Sequence, residues 1–61
     1  MFKVGMRVRL RSGGPLMTIT AMRVPGPSAP RSIMCEWFDK AGAPQSGWFI
    51  EEALMSQEGM T

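Results

Sequence analysis

Apolar and polar side chains alternate along residues 2–10, and this alternation predicts a β-strand. The apolar positions are Phe2, Val4, Met6, Val8 and Leu10. The positions between them and just after them are Lys3, Gly5, Arg7, Arg9 and Arg11. A strand places alternate residues on opposite faces, whereas a helix would distribute them around its circumference. We therefore expect a strand with one apolar face and one cationic face.

Three more strands are predicted where β-branched and aromatic residues cluster between turn signals. These segments are residues 17–24, 32–38 and 47–50. The connections between the strands are Ser12-Gly13-Gly14-Pro15, the proline-rich stretch 25–30 and the turn-rich stretch 39–47. Pro15 has no amide proton, so we expect an open loop there rather than a tight hairpin.

A single helical turn and a last short strand are predicted after residue 50. Glu51 and Glu52 stand ahead of Ala53 and Leu54, an order typical of the first turn of a helix. Residues 55 and 56 can add a fifth strand. Four to five short strands separated by turns indicate an all-β fold, a small antiparallel barrel. We expect one domain over residues 1–55 and a frayed tail over residues 56–61.

The cysteine and histidine content limits what can hold so short a chain together. A chain of 61 residues buries only about 60% of the surface that its unfolded form exposes. Cys35 is the only cysteine and histidine is absent, so neither an intrachain disulfide nor a typical zinc site is available. Packing or self-association must stabilise the fold. A single cysteine, no apolar stretch of about 20 residues and no secretory signal together predict a cytoplasmic location.

Charges are segregated along the chain. The first 31 residues hold six basic and no acidic side chains, whereas the remaining residues hold one basic and five acidic side chains. Such asymmetry can mark a partner-binding surface. Alternatively, the two halves interleave in a barrel and oppositely charged strands simply lie side by side.

Four motifs lie along residues 2–54 and are informative as a set. They are Phe2-Lys3-Val4-Gly5, Val8-Arg9-Leu10-Arg11-Ser12-Gly13-Gly14-Pro15 with Met17-Thr18-Ile19, Cys35-Glu36-Trp37-Phe38, and Glu51-Glu52-Ala53-Leu54 after Phe49. As a set they resemble the YodC-like small bacterial proteins, a family of unknown function also numbered DUF2158. The resemblance implies a small SH3-like antiparallel barrel, and it implies no established activity.

The chain departs from the usual pattern of that family at three places. Met6 stands where an acidic residue is usual, and Trp48 stands where a small polar residue is common. The stretch 25–30 is proline-rich where the family often has acidic or polar residues. Each change makes the surface or an edge more apolar, and an exposed tryptophan is costly unless something covers it.

Catalytic chemistry is not expected. General acid–base catalysis favours groups that titrate near neutrality, and the chain has neither histidine nor tyrosine. Cys35 shares a strand face with Ile33 and Trp37, which indicates a buried and inert thiol. The carboxylates Glu36, Asp39, Glu51 and Glu52 are interpreted as solvated or capping groups. We expect no catalytic residue, no metal, no cofactor and no small-molecule substrate.

Two binding hypotheses remain, and the first is a protein-interaction module that binds a protein partner or self-associates. Trp48 would anchor the partner chain while the segregated charges orient it, because tryptophan and arginine are enriched at interface hot spots. The alternative for Trp48 is that it folds back against the long loops and closes the barrel. We favour the interaction module, without membrane binding.

The second hypothesis is binding of RNA or DNA through the cationic strand face. Lys3, Arg7, Arg9 and Arg11 would lie at intervals of about 6.6 Å and could meet phosphates. No aromatic residue is interleaved among them, so base stacking is not offered there. A solvated cationic stripe that protects an exposed edge explains the same residues.

Overall fold

The computed structural model describes residues 2–57, which form a five-stranded antiparallel sheet. The strands are β1 (Arg7–Leu10), β2 (Met17–Arg23), β3 (Ser32–Phe38), β4 (Pro44–Ile50) and β5 (Leu54–Ser56). A 3₁₀ turn over Glu51–Ala53 connects β4 to β5. The strand order in the sheet is β4-β3-β2-β1-β5, so β4 and β5 are the two edge strands.

The connection between the two edge strands forces the sheet to curl. In a flat sheet, four strand spacings of about 4.8 Å would separate β4 from β5 by roughly 19 Å. The chain covers this distance through one short 3₁₀ turn, which rises about 8 Å between Ile50 and Leu54. The two edges must therefore approach each other at the ends that this turn joins, Ile50 and Leu54. The predicted all-β class, the small SH3-like barrel and its helical turn near the C-terminus are confirmed.

The core lies on the concave side of this curled sheet. Six side chains are at most 2% exposed, namely Val8, Met17, Ile19, Ile33, Cys35 and Leu54. Partly buried apolar groups surround them, namely Phe2, Met6, Leu10, Met22, Trp37 and Phe49. Burying one such aliphatic side chain contributes about 1.5–3 kcal/mol, so this small core is the main source of stability.

A β-bulge in β2 changes which side chains reach the core. Ile19 pairs with Cys35, but the next pair is Ala21 with Met34, so Thr20 is an extra residue. Before the bulge the odd-numbered residues of β2 face inward, and after it Met22 does so. Strict alternation over residues 17–24 would place Ala21 on the face of Ile19, and this expectation is wrong because the bulge places it on the opposite face.

β1 begins only at Arg7, so the predicted strand over residues 2–10 is wrong in its first half. A reverse turn interrupts it, in which the Met6 amide donates to the Lys3 carbonyl at 3.1 Å. Gly5 adopts a φ of +97°, which side chains disfavour and glycine tolerates. The turn directs Val4 into solvent, where 62% of it is exposed.

The connection between β3 and β4 is a short turn organised by the carboxylate of Asp39. Its Oδ1 accepts the amides of Ala41 and Ala43, both at 2.9 Å, and its Oδ2 accepts the side-chain amide of Gln45 at 3.0 Å. These bonds, that from Ala43 foremost, hold the pKa of Asp39 below its usual value. Because the turn is so compact, β4 begins at Pro44, three residues before its predicted start.

The end of the described chain is paired with β1. Ser56 lies opposite Val8, and the amide of Gln57 donates to the carbonyl of Arg7 at 2.9 Å. The tail predicted over residues 56–61 thus overlaps β5 at Ser56. Its last four positions, 58–61, lie outside the described residues.

Candidate interaction surface

The convex side of β3 and β4 carries the candidate surface, which we call the outer face. Cross-strand partners in an antiparallel sheet point to the same side, so the register identifies its members. Four pairs belong to it: Ser32 with Ile50, Met34 with Trp48, Glu36 with Ser46, and Phe38 with Pro44. From β2, Ala21 and Arg23 extend the same rows.

Large apolar side chains on the outer face are open to solvent. Phe38 is 70% exposed, Ile50 is 50% exposed and Trp48 is 45% exposed. Trp48 therefore does not close the barrel, which answers one of the alternatives posed by the sequence. The guanidinium carbon of Arg23 lies 5.2 Å from the centroid of the Trp48 ring, within cation–π range. A cation and an indole thus form one exposed cluster.

The backbone of β4 has one side hydrogen-bonded and the other side open. The Glu51 amide donates to the Arg31 carbonyl at 3.0 Å, and the Asp39 amide donates to the Ala43 carbonyl at 3.0 Å. Both contacts extend the β3–β4 register, in which hydrogen-bonded pairs alternate with pairs that are not hydrogen-bonded. They show that the odd-numbered residues of β4 are the ones that bond to β3. The even-numbered residues direct their backbone groups away from β3. The Ile50 carbonyl accepts the first hydrogen bond of the following 3₁₀ turn. We call the remaining outward groups, from Pro44, Ser46, Trp48 and the Ile50 amide, the free edge.

The free edge has little of the protection that edge strands usually carry. Charged side chains, bulges and prolines normally prevent such a strand from pairing with another chain. β4 holds seven residues without a charge, and its proline, Pro44, occupies the first position. Within residues 2–57, β4 pairs with β3 alone. By contrast, the other edge strand, β5, is only three residues long.

A shallow groove lies at the Phe38 end of the same face. It has a volume of about 310 Å³ and is lined by apolar Leu16, Phe38 and Pro44 beside Thr18 and Thr20. This apolar lining extends the exposed apolar surface of the outer face toward the β3–β4 turn.

The predicted cationic stripe is not a continuous row. Arg7 and Arg9 lie in β1, but Lys3 belongs to the preceding turn and Arg11 follows the strand. Arg9 donates to the Gly14 carbonyl at 2.7 Å, and Arg11 donates through Nε to the Glu52 carbonyl at 3.0 Å. Arg9 and Arg11 are thus engaged in holding loops of their own chain.

Oppositely charged segments of the two halves do meet in the folded chain. Arg31 and Glu51 approach to 4.0 Å, with about a third of each side chain exposed. A pair this long and this exposed contributes at most a few tenths of a kcal/mol. The fold therefore brings part of the basic first half of the sequence beside part of the acidic second half.

The groups capable of covalent or metal chemistry are dispersed. Cys35 is a free thiol in the core, and burial raises its pKa above the ordinary value. Residues 2–57 contain no cluster of three or more histidine, cysteine, aspartate or glutamate side chains arranged to hold a metal ion. In the same residues, no helix combines the length and apolar character needed to cross a bilayer.

Sequence reasoning selected Trp48, which is exposed, but missed the residues around it. It did not select Arg23, which reaches across β3 to the indole, or Met34, its cross-strand neighbour. A signal for the free edge was present, because residues 44–50 contain no charged side chain. That signal was hidden by the assignment of residues 44–46 to a loop.

Comparisons with known proteins give one result. No curated protein and no solved structure matches the chain. A family model described as "Uncharacterized small protein (DUF2158)" matches residues 3–54. These residues include all five strands except the last two positions of β5. Because the match covers most of the sequence, the chain belongs to the DUF2158 family of uncharacterised small proteins.

Proposed function

We propose that this chain is a noncatalytic interaction module that binds a protein chain through its outer face. One observation carries the proposal: exposed Trp48 and Ile50 stand on a strand whose outward amides are also unpaired within residues 2–57. Apolar side chains supply binding energy, and open backbone groups supply direction. Together they match the requirements for adding an extended partner segment to a sheet edge.

The composition of the outer face supports a protein partner. Tryptophan and arginine dominate interface hot spots, and here Arg23 already lies over Trp48. Polar groups of Ser32, Ser46 and Glu36 surround the apolar ones, as the rim of an interface does. We further propose a cytoplasmic location, supported by the free Cys35 thiol.

Nucleic-acid binding has weaker support. A phosphate-binding surface needs cations directed at solvent, whereas Arg9 and Arg11 donate to carbonyls of their own chain. On the outer face, Glu36 adds negative charge beside the exposed aromatic groups. We therefore keep RNA and DNA as outcomes of the test below.

Site-specific photo-cross-linking in cells tests the proposal. A photoreactive phenylalanine analogue replaces Ile50 on the outer face or, as a matched control, Val4, which is exposed in the N-terminal turn. We expect covalent protein adducts from position 50 and none from position 4. The adducts should disappear when Trp48→Thr is added to the position-50 variant.

Two outcomes would reject the proposed function. The first is equal yields of adducts from positions 4 and 50, since a specific surface must discriminate between them. The second is adducts sensitive to nuclease rather than to protease. The second outcome would be supported if oligonucleotide binding weakened steeply with salt and vanished on neutralising Arg7, Arg9 and Arg11.

A further inference from the structure

The free edge is self-complementary, and this property indicates which partner fits it. Ser46 and Trp48 direct both an amide and a carbonyl outward. Pro44 offers only its carbonyl, and Ile50 offers only its amide, because the Ile50 carbonyl accepts the first hydrogen bond of the 3₁₀ turn. We propose that the free edge binds β4 of a second copy of the chain, antiparallel, about a two-fold axis at Gly47. This inference rests on the proposed function, because it names the partner of the same surface.

Pro44 and Ile50 together select the register. With the axis at Gly47, Ser46 exchanges both backbone hydrogen bonds with the partner's Trp48, and the Ile50 amide donates to the carbonyl of the partner's Pro44. Every outward amide and every open outward carbonyl of β4 is then used. An axis at Trp48 would direct the Ser46 amide at the Ile50 carbonyl, which the 3₁₀ turn already uses, and an axis at Ser46 would leave the Trp48 carbonyl opposite Pro44 without a donor. The axis at Gly47 also places the two indoles diagonally adjacent on one continuous outer face.

The charges around β4 favour a second copy. β4 itself is uncharged, so pairing it with its own sequence brings no like charges together. On the outer face, Arg23 shares the row of Ile50 and Glu36 shares the row of Ser46. An antiparallel pair sets the Ile50 end of one copy beside the Pro44 end of the other. The Arg23 end of each copy therefore lies toward the Glu36 end of its partner, which orients the pair.

Amide hydrogen exchange measures this pairing at the residues that make it. In the single chain, the amides of residues 45, 47 and 49 bond to β3, while those of 46, 48 and 50 face solvent. We expect exchange at 46, 48 and 50 to slow as the concentration rises from micromolar to millimolar. The slowing should be about tenfold when about nine-tenths of the chains are paired. Fast exchange that is independent of concentration at these three amides would overturn the inference.

A proline substitution separates edge pairing from contacts of side chains alone. Ser46→Pro removes an outward amide and leaves the β3 ladder intact, whereas Ser46→Ala keeps that amide and serves as the matched control. We expect S46A to associate as the wild type does and S46P to remain monomeric with unchanged circular dichroism. Should S46P unfold the domain, Ile50→Pro removes another outward amide of the same register and tests the pairing there.

The outcomes distinguish this inference from the proposed function. If S46P associates normally while Trp48→Thr does not, the edge-pairing inference is wrong and the outer face still binds protein. If the wild type stays monomeric at millimolar concentration, the second copy is not the partner. The photo-cross-linking experiment then decides the proposed function independently, through adducts whose mass differs from that of two copies.

Discussion

The guanidinium of Arg23 lies over the indole of Trp48, with its central carbon 5.2 Å from the ring centroid. The two residues are on β2 and β4, so the arginine side chain crosses β3 to reach the ring. The contact holds the indole against the sheet while leaving 45% of the tryptophan exposed. An anchor restrained in this way loses less conformational entropy when a partner binds.

Replacing Arg23 should weaken the fold modestly, through Trp48. A cation over an exposed aromatic ring contributes about 0.5–1 kcal/mol, so Arg23→Gln should lower the free energy of unfolding by that amount. In a Trp48→Thr background the same substitution should have almost no effect. Urea unfolding of the four proteins in this double-mutant cycle gives the coupling. Equal losses in both backgrounds would mean that Arg23 acts without the indole.

The Asp39 turn should make stability depend on acid pH. The folded-state pKa is depressed, because the carboxylate accepts bonds from Ala43, Gln45 and Ala41. The stabilisation is therefore complete above the usual pKa of the group and is lost as the pH falls through the depressed folded-state value. Asp39→Asn should lower the melting temperature at neutral pH. The difference from the wild type should shrink toward strongly acidic pH.

The pH dependence shows whether the effect of D39N comes from losing the ionised carboxylate or only from losing a polar group. The side-chain amide introduced by Asp39→Asn retains one acceptor oxygen, but its nitrogen cannot accept the hydrogen bond from Gln45. Gln45→Ala removes that one bond and should reproduce part of the effect. A melting-temperature difference between wild type and D39N that stays constant from neutral to acidic pH would contradict the role assigned to the carboxylate.

The turn at Gly5 should resist substitution. Its φ is +97°, and a Cβ there would meet no atom within 4 Å, so the cost is purely conformational. Gly5→Ala should destabilise the domain by about 1–2 kcal/mol. Gly26→Ala is the matched control, because its φ is not positive and its Cβ would also meet open space. The control should change stability by less than about 0.5 kcal/mol; similar losses for both variants would refute the argument.

Much of the sheet follows from local patterning. β3 was predicted with its observed limits, and its inward side chains, Ile33 and Cys35, are fully buried. A strand in the middle of a sheet is hydrogen-bonded to a neighbour on each side, so its buried and exposed side chains alternate strictly. This alternation can be recognised in the sequence. The 3₁₀ turn after β4 was readable for a similar reason, because its Leu54 has to return to the core.

The failures lie where the backbone departs from regular alternation. The turn at Gly5 interrupts an apolar pattern that continues across it, so the pattern alone could not show the break. The bulge at Thr20 exchanges the faces of β2 through one extra residue, which no local propensity reveals. The start of β4 depended on Asp39 shortening its turn with side-chain hydrogen bonds.

The cationic residues illustrate a different limit. Spacing along the chain placed four cations in one row, namely Lys3, Arg7, Arg9 and Arg11. This placement is correct only if the strand is continuous and the side chains make no other contacts. The long arginine side chains instead reach backbone carbonyls of loops that are distant along the chain, such as that of Glu52. Such contacts exist only in the folded chain. The same is true of Arg23 on Trp48.

Sedimentation equilibrium of three proteins tests most directly whether the outer face binds a second copy through Trp48. The proteins are the wild type, Trp48→Thr and the control Val4→Thr, which removes an exposed apolar group elsewhere. We predict reversible, concentration-dependent dimers for the wild type and for V4T, and a monomer for W48T at every concentration. Identical behaviour of all three proteins would contradict the account.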